Sequence, residues 1–192
     1  MNATLHRYRD DGPVADLLAR ILPGIKVGPA GLLAWSLFVA TAVWVERDAG
    51  LFACVAVGVF TIAASLSASG PLTGRADWLV PVTLRLTEYG GLVAIAALGQ
   101  PGALPAVYAT LFAISTHQYE IVYRLRHLGV APPRWVSWIA LGWDGRLLAG
   151  TFMLVVGASP VIWYVFAGLA FTVFLAESAS AWARASRTAA VR

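Results

Sequence analysis

The sequence predicts an all-α polytopic membrane protein: six transmembrane helices preceded by an amphipathic interfacial helix. Three observations carry that prediction. The chain is 59% hydrophobic and 12% charged, with a mean hydropathy of +0.72, far more apolar than a water-soluble domain of 192 residues. Six apolar segments approach the ~20 residues needed to cross a hydrocarbon core of ~30 Å. Lys and Arg collect in alternate loops, the asymmetry that orients membrane helices.

The first 28 residues form a cytoplasmic or interfacial segment. Within it Val14, Leu17, Leu18, Ile21 and Leu22 recur at helical spacing, while Asp16 and Arg20 fall on the other side. That pattern suits a helix lying along a membrane surface, and also a soluble helix packed on a bundle. Spans follow near 29–45, 51–70, 78–98, 104–125, 135–157 and 160–182, separated by charged or Pro/Gly-rich breaks. The breaks are too short for another domain and no internal repeat is evident. Residues 1–192 are therefore expected to form one membrane domain, with a six-helix bundle over 29–182 and a cytoplasmic tail over 183–192. The first apolar span begins only near residue 29, behind a charged, proline-broken segment, so no signal peptide is expected.

Orientation follows from the cations. With six spans both termini share a side, and that side collects Arg7, Arg9, Arg20, Lys26, Arg75, Arg124, Arg126, Arg134, Arg184, Arg187 and Arg192, against Arg47 alone on the other. The expected location is the cell membrane, multi-pass, with both termini cytoplasmic. Trp44 and Trp163 would mark the outer interface, and Trp78, Trp135 and Trp182 the inner one.

Several ionisable residues fall inside the spans. Counting from the cytoplasmic ends, Arg85 lies ~10 Å deep, Glu88 ~15 Å, Asp144 and Arg146 ~13 to 16 Å, His117 ~10 Å and Glu120 ~6 Å, with Glu177 similarly shallow. Each ionised group costs about 2.5 to 3.5 kcal/mol on insertion scales, so together they must face one another or water. His117, Glu120, Arg124 and His127 share one stripe of the fourth span, and Arg85 and Glu88 share a face of the third. A polar cavity open to the cytoplasm is the simplest arrangement. His117, Glu120, Glu88 and Asp144 are the candidate catalytic groups, because imidazole and carboxylates accept protons or bind metal. Glu88, Glu120 and Asp144 are candidate ligands for Mg or Mn. Arg85, Arg124, Arg126 and Arg146, with Tyr123 beside them, are candidates to hold a phosphate-bearing substrate.

Plainer readings stand beside these. Arg85 with Glu88, and Glu120 with Arg124, also suit ion pairs that fix helix register, and Tyr119 and Tyr123 suit interfacial packing. The small residues of 63–70 suit close helix packing. The single cysteine, Cys54, excludes a disulfide framework. No Walker A loop, dinucleotide fingerprint, zinc-protease motif or nucleophile elbow occurs, and the net charge of +4 follows from topology, so no nucleic-acid partner is expected.

The stretches YRDDGP (8–13), DWLVPVTLRLTEY (77–89), HQYEIVYRLR (117–126), PPRW (132–135) and GWDGRL (142–147) resemble an actinobacterial integral-membrane domain family of unknown function. That resemblance covers nearly the whole chain. It implies association with nucleotidyltransferase and CDP-alcohol phosphatidyltransferase domains, and it assigns no catalytic residues. CDP-alcohol phosphotransferases are themselves six-helix membrane enzymes with a surface helix and a cytoplasm-facing polar cavity. Their aspartate-rich metal signature is not matched: Asp144 and Gly145 resemble its opening, Ala149 falls one place late, and no aspartate follows Asp144.

The leading expectation is a membrane enzyme acting on a phosphate-bearing or lipid-linked substrate at the cytoplasmic interface. Alternatives are a non-catalytic membrane partner of a CDP-alcohol phosphotransferase, an isoprenoid cyclase and a small transporter; the expected partners are membrane lipid, a phosphate-bearing or lipid substrate, and a CDP-alcohol phosphotransferase or a second copy of the chain. Transport ranks last, because the outer half lacks the polar residues that a pathway across the bilayer requires.

Overall fold

The computed structural model describes residues 6–22, 24, 27–45, 51–70, 72–99 and 101–190, and among these every regular element is helical. Eight α-helices follow in order: α1 (Pro13–Ile21), α2 (Pro29–Val45), α3 (Leu51–Leu66), α4 (Leu79–Gly99), α5 (Leu104–His127), α6 (Arg134–Ile139), α7 (Gly142–Val155) and α8 (Pro160–Ala190). Lys26, Arg47, Arg192 and the side chain of Trp44, which bear on the expected charge asymmetry and outer aromatic belt, lie outside the described residues.

Among the described residues, two helices are long and apolar enough to cross a membrane, over Leu79–Ala97 and Pro160–Arg184. The apolar stretches Pro29–Ala42 and Cys54–Ser69 are shorter. α5 has 24 residues, ample length, but its C-terminal third carries the polar stripe that lowers its hydropathy.

The expected fifth span is not one helix. It breaks between α6 and α7, where Leu141 and Gly142 both take left-handed backbone, φ 66° and 57°. A non-glycine residue in that region is uncommon, and here the N-terminal segment enforces it. The Trp143 amide donates to the Asp10 carbonyl at 3.3 Å. A Cβ on Gly142 would meet the Gly12 backbone at 2.3 Å, and one on Gly12 would meet the Leu141 carbonyl oxygen at 2.1 Å. The two glycines let two turns of backbone touch.

α7 sits at the centre, packed by α3 and α4, with α2 closing over both. Trp143 and Leu147 on α7 are fully buried with Phe60, Leu84 and Leu92. Gly91 and Gly150 permit the close α4–α7 approach, since Leu147 and Leu92 lie 2.9 Å from where their Cβ atoms would be. α5 and α8 form the most extensive pair and run parallel: His117 meets Phe174, and further along Tyr123 meets Trp182.

α1 lies against α3 and α7, and Leu17, Ile21 and the adjoining Leu22 are exposed. Its polar side differs from expectation. Asp16 is buried, accepting hydrogen bonds from Arg134 and from the Trp138 indole at 2.7 Å, so it faces protein rather than water, while Arg20 one turn later is exposed.

Candidate functional site

The charges expected inside the spans meet a part of the chain that lies far away in sequence. Residues 8–12 run into the end of the bundle, and Asp10, with φ 53°, turns its carboxylate inward. Arg146 donates through Nη2 to Asp10 Oδ2 at 2.9 Å, through Nη1 to the Ala140 carbonyl at 3.1 Å, and through Nε to Glu88. Arg85 donates through Nη1 to Glu88 and through Nη2 to the Arg9 carbonyl, and it lies 3.6 Å from Asp10. The Ser137 hydroxyl donates to Asp10 Oδ1 at 2.6 Å. Two guanidinium groups and two carboxylates thus neutralise one another where all four are buried, and an unpaired charge there would cost several kcal/mol. Burial alone would raise the Asp10 pKa, but Arg146 and Arg85 outweigh it and, with Ser137, hold the carboxyl at about 2.

The neighbouring positions lock the same segment. Arg9 is fully buried, donating to Asp11, to Ser67 at 3.4 Å and to the Ala64 carbonyl at 3.2 Å, which satisfies the end of α3. Asp11 also accepts from the Trp143 indole at 2.8 Å, and Gln118 donates to the Tyr8 carbonyl at 3.1 Å. Asp144 faces the start of α1, taking amide hydrogen bonds from Gly12 at 2.6 Å, Val14 at 3.0 Å and Ala15 at 2.9 Å. Pro13 has no N–H, so a side chain from α7 caps the whole first turn of a helix that lacks a cap of its own.

A second cluster lies between α5 and α8. Arg124 makes a two-pronged contact with Glu177, at 3.0 and 2.6 Å, while Glu120 lies 3.7 Å from Arg124 and accepts from the Trp182 indole at 2.7 Å. His117 lies between the two clusters, 2% exposed and stacked on Phe174 with ring centres 4.0 Å apart. Neither ring nitrogen has a hydrogen-bond partner among the described residues, and Arg85 Nε and Arg124 Nε are likewise unbonded.

Above the first cluster opens a cleft of about 760 Å³. Its walls include His6, Arg7, Asp10 and Asp11 from the N-terminal segment, and Arg134 and Ser137 from α6. Burial and the neighbouring Arg9 hold the His6 pKa below its ordinary value. A smaller cavity of about 380 Å³ adjoins it across Val130, Ala131 and Pro133, lined by Arg124, Glu177 and Trp182.

Of the residues singled out from the sequence, the structure brings Arg85, Glu88 and Arg146 into one network. Asp144 is turned to α1, and Glu120 belongs to the α5–α8 cluster. Arg126 is exposed and lines neither cavity, and Tyr123 packs against Trp182 and His127. The carboxylates considered for Mg or Mn do not converge: Glu88 is taken by two arginines, Asp144 by three amides and Glu120 by an indole. Among the described residues no group of three His, Cys, Asp or Glu side chains could share a metal ion, so these residues do not fit a shared divalent site. Sequence reasoning missed Arg9, Asp10, Asp11 and Gly12. The signal available was RDDGP itself: consecutive charges ending in Gly-Pro, the start signal of α1.

These features define a class: an all-helical protein with outward apolar faces and a buried ionic network closed by its own N-terminal segment. The chain belongs to the family of unknown function designated DUF5941, whose family model matches residues 1–192. No curated protein and no solved structure matches it.

Proposed function

We propose that the chain is a six-span protein of the cell membrane, both termini cytoplasmic, that binds a phosphate-bearing or lipid-linked ligand in the cleft above Asp10. The cleft carries the reading. Its volume of about 760 Å³ lies in the range of small-molecule sites, and it places Arg7, His6 and Arg134 around an opening at the end where the loop cations gather.

Outward side chains support the six spans. Leu37 on α2, Leu86 on α4, Phe112 on α5, Phe152 on α7 and Val165 on α8 are each about two-thirds exposed, and Val55 on α3 is half exposed, while Arg85, Glu88, Asp144 and Arg146 are buried. In water that distribution leaves apolar surface uncovered on nearly every helix; in lipid it is the favourable one. The α6–α7 break is compatible with a span, because its irregular backbone is buried in protein.

Any chemistry in the cleft falls to its own lining rather than to Glu88, Glu120 or Asp144. His6, on the cleft wall with Asp11, is the imidazole among these lining groups. Purified protein in detergent should gain thermal stability from lipids with a phosphate headgroup over neutral lipids. Arg7→Gln and Arg134→Gln should weaken that gain, and Glu120→Gln should leave it intact. An equal response to neutral and phosphate-bearing lipids would sink the reading.

A second reading, a non-catalytic membrane partner of a CDP-alcohol phosphotransferase, is favoured by one observation: the buried charges satisfy one another internally. It predicts co-purification of the two proteins from membranes irrespective of Arg7 and Arg134.

A further inference from the structure

Asp10 belongs to two places at once. Its carboxylate is paired with Arg146 and lies beside Arg85 in the interior network, yet it also forms part of the floor of the cleft. It reaches this position on left-handed backbone, φ 53°, which aspartate tolerates better than most residues do. The contacts it leaves unmade are informative. A carboxylate has two oxygens, and here one takes Arg146 and the other takes Ser137. Arg85 Nε and both nitrogens of His117 remain without partners, although these side chains are almost wholly buried. His117 is within electrostatic range of Asp10, Arg146, Glu177 and Arg85. Buried polar atoms are satisfied as a rule, so a cluster of orphans around one anion suggests a larger anion.

We propose that Arg85, Arg146, Ser137 and His117 form a phosphate subsite, and that the Asp10 carboxylate is its built-in occupant, displaced when a phosphate group enters from the cleft. A phosphate brings four oxygens where the carboxylate brings two, enough to reach the unused donors on Arg85 and His117. Charge supports the exchange. Arg85 and Arg146 balance Glu88 and Asp10, so withdrawal of Asp10 leaves one uncompensated guanidinium, which a phosphate monoanion restores to neutrality. Ser137 lines the cleft as well, giving the entering group a contact before the arginines are freed. The proposal deepens the cleft reading by naming the chemistry at its floor, and it rests on that reading for access.

The test uses the full chain in detergent and in nanodiscs. Glycine accepts the left-handed backbone, so Asp10→Gly removes the carboxylate with little strain. The probes are inorganic phosphate and glycerol 3-phosphate against chloride at matched ionic strength, and nanodiscs of phosphatidic acid against phosphatidylcholine. The thermal midpoint of Asp10→Gly should rise saturably with phosphate, at concentrations about tenfold below those that affect the unsubstituted protein. Adding Arg85→Gln should abolish the rise. Response to phosphatidic acid alone assigns the subsite to a lipid headgroup, and response to the soluble phosphates assigns it to a free phosphate ester. A folded Asp10→Gly that answers phosphate no better than chloride overturns the proposal. If Asp10→Gly does not fold, hydrogen exchange of residues 8–12 in the unsubstituted protein decides: faster exchange in phosphate supports displacement, and unchanged exchange overturns it. Failure of the cleft reading looks different, as a lipid response indifferent to Arg7→Gln.

Discussion

The Asp10–Arg85–Glu88–Arg146 cluster joins three separate stretches of chain, whereas the Arg124–Glu177 pair, with Glu120 beside it, joins two helices that already pack along their length. In the first, α4 and α7 supply the arginines and Glu88, and an irregular segment more than 70 residues away in sequence supplies the remaining charge. In the second, the pair borders a cavity, and Glu120 is partly exposed. The difference is one of dependence. Loss of a member from the first leaves a buried charge unpaired and releases the N-terminal segment, while loss from the second leaves the α5–α8 packing in place.

Breaking the first cluster should have the largest effect. Arg146→Ala is expected to cost about 3 to 5 kcal/mol, read as a lost or strongly lowered thermal midpoint in detergent. Glu177→Gln, the matching lesion in the second, should cost less, about 1 to 3 kcal/mol by the same measurement. Removal of the α1 cap by Asp144→Ala should cost about 1 to 2 kcal/mol and speed hydrogen exchange over 13–21 while leaving α8 unchanged. Arg126→Ala, in neither cluster, should fall within about 0.5 kcal/mol.

Acid sharpens the contrast. The folded value of Asp10, about 2, lies below the ordinary 3.8, so its stabilisation is complete above about pH 4 and is lost as pH falls toward 2. Asp10→Asn should flatten the stability profile between those values, whereas Arg126→Ala should leave it unchanged.

How far the sequence disclosed this can be judged from particular residues. The helices follow from apolar runs of adequate length, and five of the six expected spans coincide with one helix each. The break at Leu141–Gly142 did not show, because tertiary contact with Gly12 imposes it and no proline or charge run marks it. The expected depths and helical spacing point Arg85, Glu88, His117, Glu120, Asp144 and Arg146 at one polar cavity; Arg85, Glu88 and Arg146 meet in one network, while Asp144 and Glu120 do not join it. Depth could not assign partners. Asp144 has nearly the expected depth of Arg146 but stands two residues earlier on the helix, which turns it about 200° away, toward α1. Asp10 carries no depth, being outside every span, so a reading based on spans had no means of placing it in the network.

The most direct test of the central claim, that the N-terminal segment completes the interior charge network, is a double-mutant cycle between Asp10→Asn and Arg146→Met in thermal or denaturant unfolding. A coupling energy of about 2 kcal/mol or more is the predicted result; additive losses, with coupling within about 0.5 kcal/mol, would contradict it.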